Sequence, residues 1–194
     1  MPTASLTMPT GNLHANPVLH AALLYWLSLP KAHDEALPDF LHIDAETIPH
    51  DILPHLLIAE MSDADFDHGH YLLAGTEIKR WFRLPPEGLD VDHAARITPA
   101  GYIDHMYEIA RDLVARRMPL HVQTKFLQPH QPPVISESVV MPLTRGGDKV
   151  ECVMIVQVFH SPGAAANAPA PEPHALLPPG ADVMVEYSPI RPAY

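Results

Sequence analysis

The sequence predicts one domain of the α/β class, α+β in detail: a five-stranded antiparallel sheet with helices on one face and an N-terminal helix on the other. Three observations predict it. The elements run helix, strand, strand, short helices, long helix, then three strands. The final strand is apolar on both faces, so both faces need cover. The 194 residues, 47% hydrophobic and 18% charged, suffice for a single core and leave no room for a second domain.

Proline sets the expected limits. Many of the 23 prolines lie beyond residue 160. This composition predicts a disordered N-terminus over 1–15, a folded domain over 16–160 and a Pro/Ala-rich, mostly disordered tail over 161–194, with the boundary near Ser161.

Asn16 is placed to cap the first helix and Pro17 suits its first turn, with Leu19, Ala22, Leu23, Trp26 and Leu27 at helical spacing until Pro30. Its other side carries Val18, Ala21, Leu24 and Tyr25, more apolar than water requires, which predicts a second packing surface such as a homodimer contact. Pro38, Pro49 and Pro54 leave Lys31 to Pro54 an extended connector with at most a short turn near Asp44 to Ile48. His55 to Met61 and Gly69 to Thr76 predict a hairpin across the acidic turn Ser62 to Asp67.

Short helical turns are expected between Glu77 and Ala100, broken by Pro85, Pro86 and Pro99. Gly101 to Met118 is the main helix, with Tyr102, Met106, Ile109 and Leu113 on one face, and Glu108–Arg111 and Asp112–Arg116 spaced as surface ion pairs. Leu120 to Leu127, Val134 to Thr144 and Lys149 to His160 are the closing strands, the last two joined by a tight Arg145-Gly146-Gly147-Asp148 turn. In the final strand Val150, Cys152, Met154, Val156 and Val158 share one face, expected under the main helix. Val153, Ile155 and Phe159 share the other, expected under the N-terminal helix. Val183 to Tyr187 is a short strand-like patch able to join a sheet edge.

Charge narrows the partners. Twelve basic against 23 acidic residues give −11, a field that repels nucleic-acid phosphates and anionic lipid, so neither nucleic acid nor membrane is expected as a partner. The basic points, Lys79-Arg80 with Arg83 and Arg111 with Arg116-Arg117, have acids nearby and read as solvated faces. One cysteine, no apolar run of roughly 20 residues and no exported-type N-terminus predict a cytoplasmic protein.

Tyr25-Trp26, Leu37-Pro38, Ile48-Pro49, Ile52-Leu53-Pro54-His55-Leu56, Tyr71-Leu72-Leu73-Ala74-Gly75-Thr76, Gly88 and Met141-Pro142-Leu143 together resemble a PAS-like family of short alphaproteobacterial proteins, formerly a domain of unknown function. The resemblance spans Asn16 to His160, with Leu72 and Leu73 where family members usually carry an arginine. It implies a sheet cupping helices and a role in signal sensing, by binding a small molecule or a partner and shifting a dimer.

The chemical motifs weigh lightly. His68 and His70 share a strand face but lack a third ligand, and read as surface histidines. Asp63, Asp65, Asp67 and Gly69 imitate a calcium loop with its glycine one place late and Ala74 at the closing position. His105 on the main helix loosely resembles a haem ligand out of register, so haem is disfavoured. Cys152 on a strand is a core thiol, not a flavin-adduct cysteine. Gly146-Gly147-Asp148 reads as a hairpin turn, and the acidic pairs Asp34-Glu35 and Asp90 with Asp92 have no pocket to separate their pKa values, so no catalysis is expected. The pocket candidates are Trp81, Phe82, Tyr102, His105, Met106 and Met154, for a small apolar or aromatic ligand. The alternative is a ligand-free interaction module docking a signalling partner such as a kinase or response regulator.

Overall fold

Helix α1, Pro17–Ser28, begins where Asn16 Oδ1 accepts from the backbone N–H of Val18 and Leu19, and it ends before Pro30. It opens the computed structural model, which describes residues 16–31, 36–61, 69–82, 99, 101–127, 130, 133–160 and 181–190. The strands are β1 (Leu56–Met61), β2 (Gly69–Ala74), β3 (Leu120–Leu127), β4 (Val134–Leu143), β5 (Cys152–His160) and β6 (Asp182–Pro189), with helices α2 (Thr76–Phe82) and α3 (Tyr102–Arg116) between β2 and β3. They build an α+β fold around an open sheet in the order β2-β1-β5-β4-β3-β6, antiparallel throughout. The expected hairpin is β1 with β2, and a bulge at Ile58/Ala59 leaves Leu72 as the extra residue.

The sheet has six strands where five were expected. Strands β1–β5 leave the outer edge of β3 open, and the patch around Val183 fills it as an eight-residue strand, with Val183 and Val185 turned toward the core. The main helix is shorter than Gly101 to Met118. Gly101 takes φ +79° at its start, and Arg117, at φ +53°, closes it through its N–H to the Leu113 carbonyl. Asp112 and Arg116 pair at 2.7 Å as expected, while Glu108 lies 3.5 Å from His105. The β4–β5 connection is longer than a tight turn, since pairing stops at Leu143 and Cys152. Residues 144–151 are instead held from outside: Gly146 N–H donates to Asp39, Arg145 pairs with Glu60, and Arg117 donates to the Asp148 carbonyl at 2.7 Å.

Both faces of β5 are covered, but by the opposite helices from those expected. Cys152, Met154 and Val156 pack under α1 with Val139, Met141 and Leu143, whereas Val153, Ile155 and Phe159 face α2 and α3. Alternation fixes which side chains share a face and carries no information on which helix arrives there. The α1 side is fixed by Trp26, whose buried Nε1 donates to the Pro142 carbonyl at 2.9 Å. Proline is tolerated in β4 because the pairing with β3 ends at Val140, so position 142 behaves as an edge.

The second apolar side of α1 is largely covered from within the chain. Leu37, Ile48 and Ile52 of the connector join Leu19, Leu23, Tyr25 and Trp26 in one cluster, and Tyr25, expected on the outer side, is buried there with its hydroxyl 3.5 Å from Thr47. Leu24 remains 53% exposed. The connector ends in a 3-10 turn, Leu53–His55, whose carbonyls crowd Gly75; a β-carbon there would overlap the Leu53 and Pro54 carbonyl oxygens. That approach lets Gly75 N–H bond to Leu56 and its carbonyl start α2 at Lys79, which explains glycine before Thr76. The acidic turn 62–67, the interrupted segment 83–98 with Gly88, the N-terminus 1–15 and residues 161–180 lie outside the described residues.

Candidate functional site

A cavity of about 90 Å³ lies between the sheet and helices α2 and α3. Strands supply Leu57, Ala59, Met61, Tyr71, Val140, Val153, Ile155 and Gln157; helices supply Ile78, Phe82, Tyr102, Ile103, Met106, Tyr107, Ile109 and Ala110. The helix stripe that drives α3 onto the sheet thus also roofs the cavity. Space remains where Ala59 and Ala110 stand in place of larger groups. Met61, Tyr71, Met106 and Tyr107 in its lining are half-buried.

The walls are apolar with a few polar atoms. Tyr102 O–H approaches Gln157 Oε1 at 3.5 Å, and the Gln157 amide donates to Ser136 Oγ at 2.9 Å. Gln157, Ser136, Ser138 and Thr124 are all buried. Burial pushes the Tyr71 phenol up to about 12 and raises that of Tyr102, against a smaller opposing effect of its Gln157 hydrogen bond. Both hydroxyls are therefore neutral near pH 7 and available as donors or acceptors. Glu60 borders the cavity, but its carboxylate is engaged by Arg145. The arrangement suits a small uncharged apolar or aromatic molecule with one or two hydrogen-bonding atoms.

Of the six pocket candidates, Phe82, Tyr102 and Met106 line this cavity. Trp81 stacks on Phe159 with ring centroids 4.5 Å apart and belongs to the adjoining aromatic core. Met154 is fully buried on the α1 side, a consequence of the exchanged faces. His105 sits on the outer part of α3 with its side chain 37% exposed, beside Glu108 and away from the cavity lining. Tyr71, Tyr107 and Gln157 were missed. Gln157 had a signal, as the one polar side chain between Cys152 and Phe159 in a run of apolar ones.

Cys152 is buried under α1, and burial pushes its thiol up to about 12, so it stays protonated and unreactive. Among the described residues no three His, Cys, Asp or Glu side chains gather as metal ligands. His70 is exposed on β2; His68, the acidic residues 63, 65 and 67, and the pairs Asp34-Glu35 and Asp90 with Asp92 lie outside the described residues. No described helix is long and apolar enough to cross a membrane.

Fold and site together define an α+β protein with an apolar cavity between an open antiparallel sheet and two helices. Comparison with protein-family models, curated proteins and solved structures yields no match.

Proposed function

We propose that the chain is a PAS-like sensory or regulatory domain that binds a small apolar or aromatic ligand in this cavity and acts through contacts with a second copy or a signalling partner. The cavity carries the reading: about 90 Å³ of largely apolar space, with the Tyr71, Tyr102 and Gln157 polar atoms at its walls. The resemblance implies a sheet cupping helices on one face, and the packing of α2 and α3 on one face of the six-stranded antiparallel sheet supports that reading. A route from ligand to surface runs through β5, where Val153 and Ile155 line the cavity while Met154 and Val156, the alternate residues, pack under α1. Occupancy that shifts β5 would be felt by α1 and its exposed Leu24, the proposed contact.

One observation favours a second reading, a ligand-free docking module: the cavity is smaller than the engineered apolar cavity of about 150 Å³ that holds benzene. Native mass spectrometry and an absorption spectrum of the purified full chain, with Ala110→Leu as the blocked control, separate the two. The sensor reading expects a bound small mass or chromophore that the variant loses. An empty protein whose melting temperature is unmoved by a panel of small aromatics supports the docking module.

A further inference from the structure

Strand β6 is an edge strand of the sheet, added after the long segment that follows β5. It pairs with β3 along all eight residues, yet none of its own side chains is buried: Val183 and Val185 are half-covered, while Met184, Glu186 and Tyr187 are exposed. Strand β3 on its other side pairs with β4, whose residues from Ser138 to Leu143 are all buried. What holds β6 is thus main-chain hydrogen bonding, which any extended segment supplies, plus two valines on the α3 face and its flanking residues. Of these, Ala181 is buried and Ile190 N–H donates to the Pro119 carbonyl at 2.8 Å.

The connection is also longer than the geometry requires. His160 pairs with Ile135 and Asp182 with Leu127, so β5 ends and β6 begins at the same end of the sheet, three strand spacings or about 14 Å apart. Residues 161–181 reach roughly 70 Å when extended. Release of β6 therefore need not disturb β5, and the tether still holds it near β3 at high effective concentration.

We propose that the outer edge of β3 is a strand-docking site and that β6 is its detachable occupant, an extended segment with small β-branched side chains at alternate positions. Val183 meets the cluster of Phe126 and Tyr102, and Val185 the cluster of Leu120 and Val122, so the edge selects two such residues, spaced by one, from whichever segment lies on it.

Hydrogen exchange on the full chain tests the detachment. The β6 amides are expected to exchange at least ~100-fold faster than those of central β4 and β5, in a separate step. The double variant Val183→Asp/Val185→Asp is expected to lose β6 protection and keep that of β4 and β5. A fluorescein-labelled synthetic peptide of residues 181–190 should then bind this variant at least ~10-fold more tightly than the parent chain, where β6 competes in cis. The proposal is overturned if β6 and β5 amides exchange together, if the double variant loses protection throughout the sheet, or if the folded variant fails to bind the peptide.

Discussion

At the scale of single residues, two positions convert geometry into measurable stability. Gly75 is enclosed by the Leu53 and Pro54 carbonyls, backbone atoms that cannot rotate aside, whereas among the described residues nothing lies near the missing β-carbon of Gly147. Gly75→Ala should cost about 1–3 kcal/mol and Gly147→Ala less than about 0.5, read as the difference in urea midpoints. His121 is buried on β3 with its Nε2 lacking a hydrogen-bond partner among the described residues, and burial lowers its pKa despite the opposing influence of Glu137. His55 is lowered for the same main reason, against the raising effects of the Gln157 carbonyl and Glu77. A lowered histidine pKa means that the unfolded chain takes the proton first. Stability is full above the unfolded value of about 6.5 and falls as pH drops through 6.5 toward the depressed folded value. Urea titrations from pH 7.5 to 5 should show that decline, and His121→Leu should flatten part of it; an unchanged slope would remove His121 from the account.

At the scale of elements, α1 shows what a single anchor contributes. Trp26 buries its ring against the sheet and satisfies the Pro142 carbonyl, an acceptor near the end of β4 beyond its pairing with β3. Trp26→Phe keeps much of the apolar contact and orphans that carbonyl, so it should cost about 1–3 kcal/mol by chemical denaturation. Leu24→Ser on the exposed side should cost under about 0.5 kcal/mol in the monomer. It would instead weaken self-association by analytical ultracentrifugation if α1 is the dimer contact. The helix itself was legible in the sequence because its signals are local: Asn16, Pro17 and Pro30 bracket a stretch that is apolar on both sides. The same holds for the closing strands, whose alternation survives in every pairing. The cover on the outer side of α1 was not legible, since Ile48 and Ile52 reach Tyr25 only through a connector with no period of its own.

At the scale of the whole molecule, the sheet is a shared wall between two cores, and β5 is the strand on which both depend. This explains why the candidate site was half readable. Phe82, Tyr102 and Met106 lie on helices whose stripes must meet the sheet, but assigning Met154 or Ile155 to the cavity required knowing which helix covers which face. A pair of substitutions at adjacent positions separates the two cores. Met154 is fully buried under α1, so Met154→Ala should destabilise by about 2–5 kcal/mol, with its new void on the side away from the cavity. Ile155 is half-buried and already faces open space, so Ile155→Ala should cost less, about 1–2 kcal/mol, and enlarge the cavity beyond its present 90 Å³. Benzene titrated into each variant, followed by melting temperature and by NMR shifts of the Tyr102 and Phe82 rings, should bind Ile155→Ala more tightly than the parent chain. The Met154→Ala variant should show no ring shifts beyond those of the parent. The reverse pattern would return Met154 to the helix α3 side and exchange the two faces of the sheet.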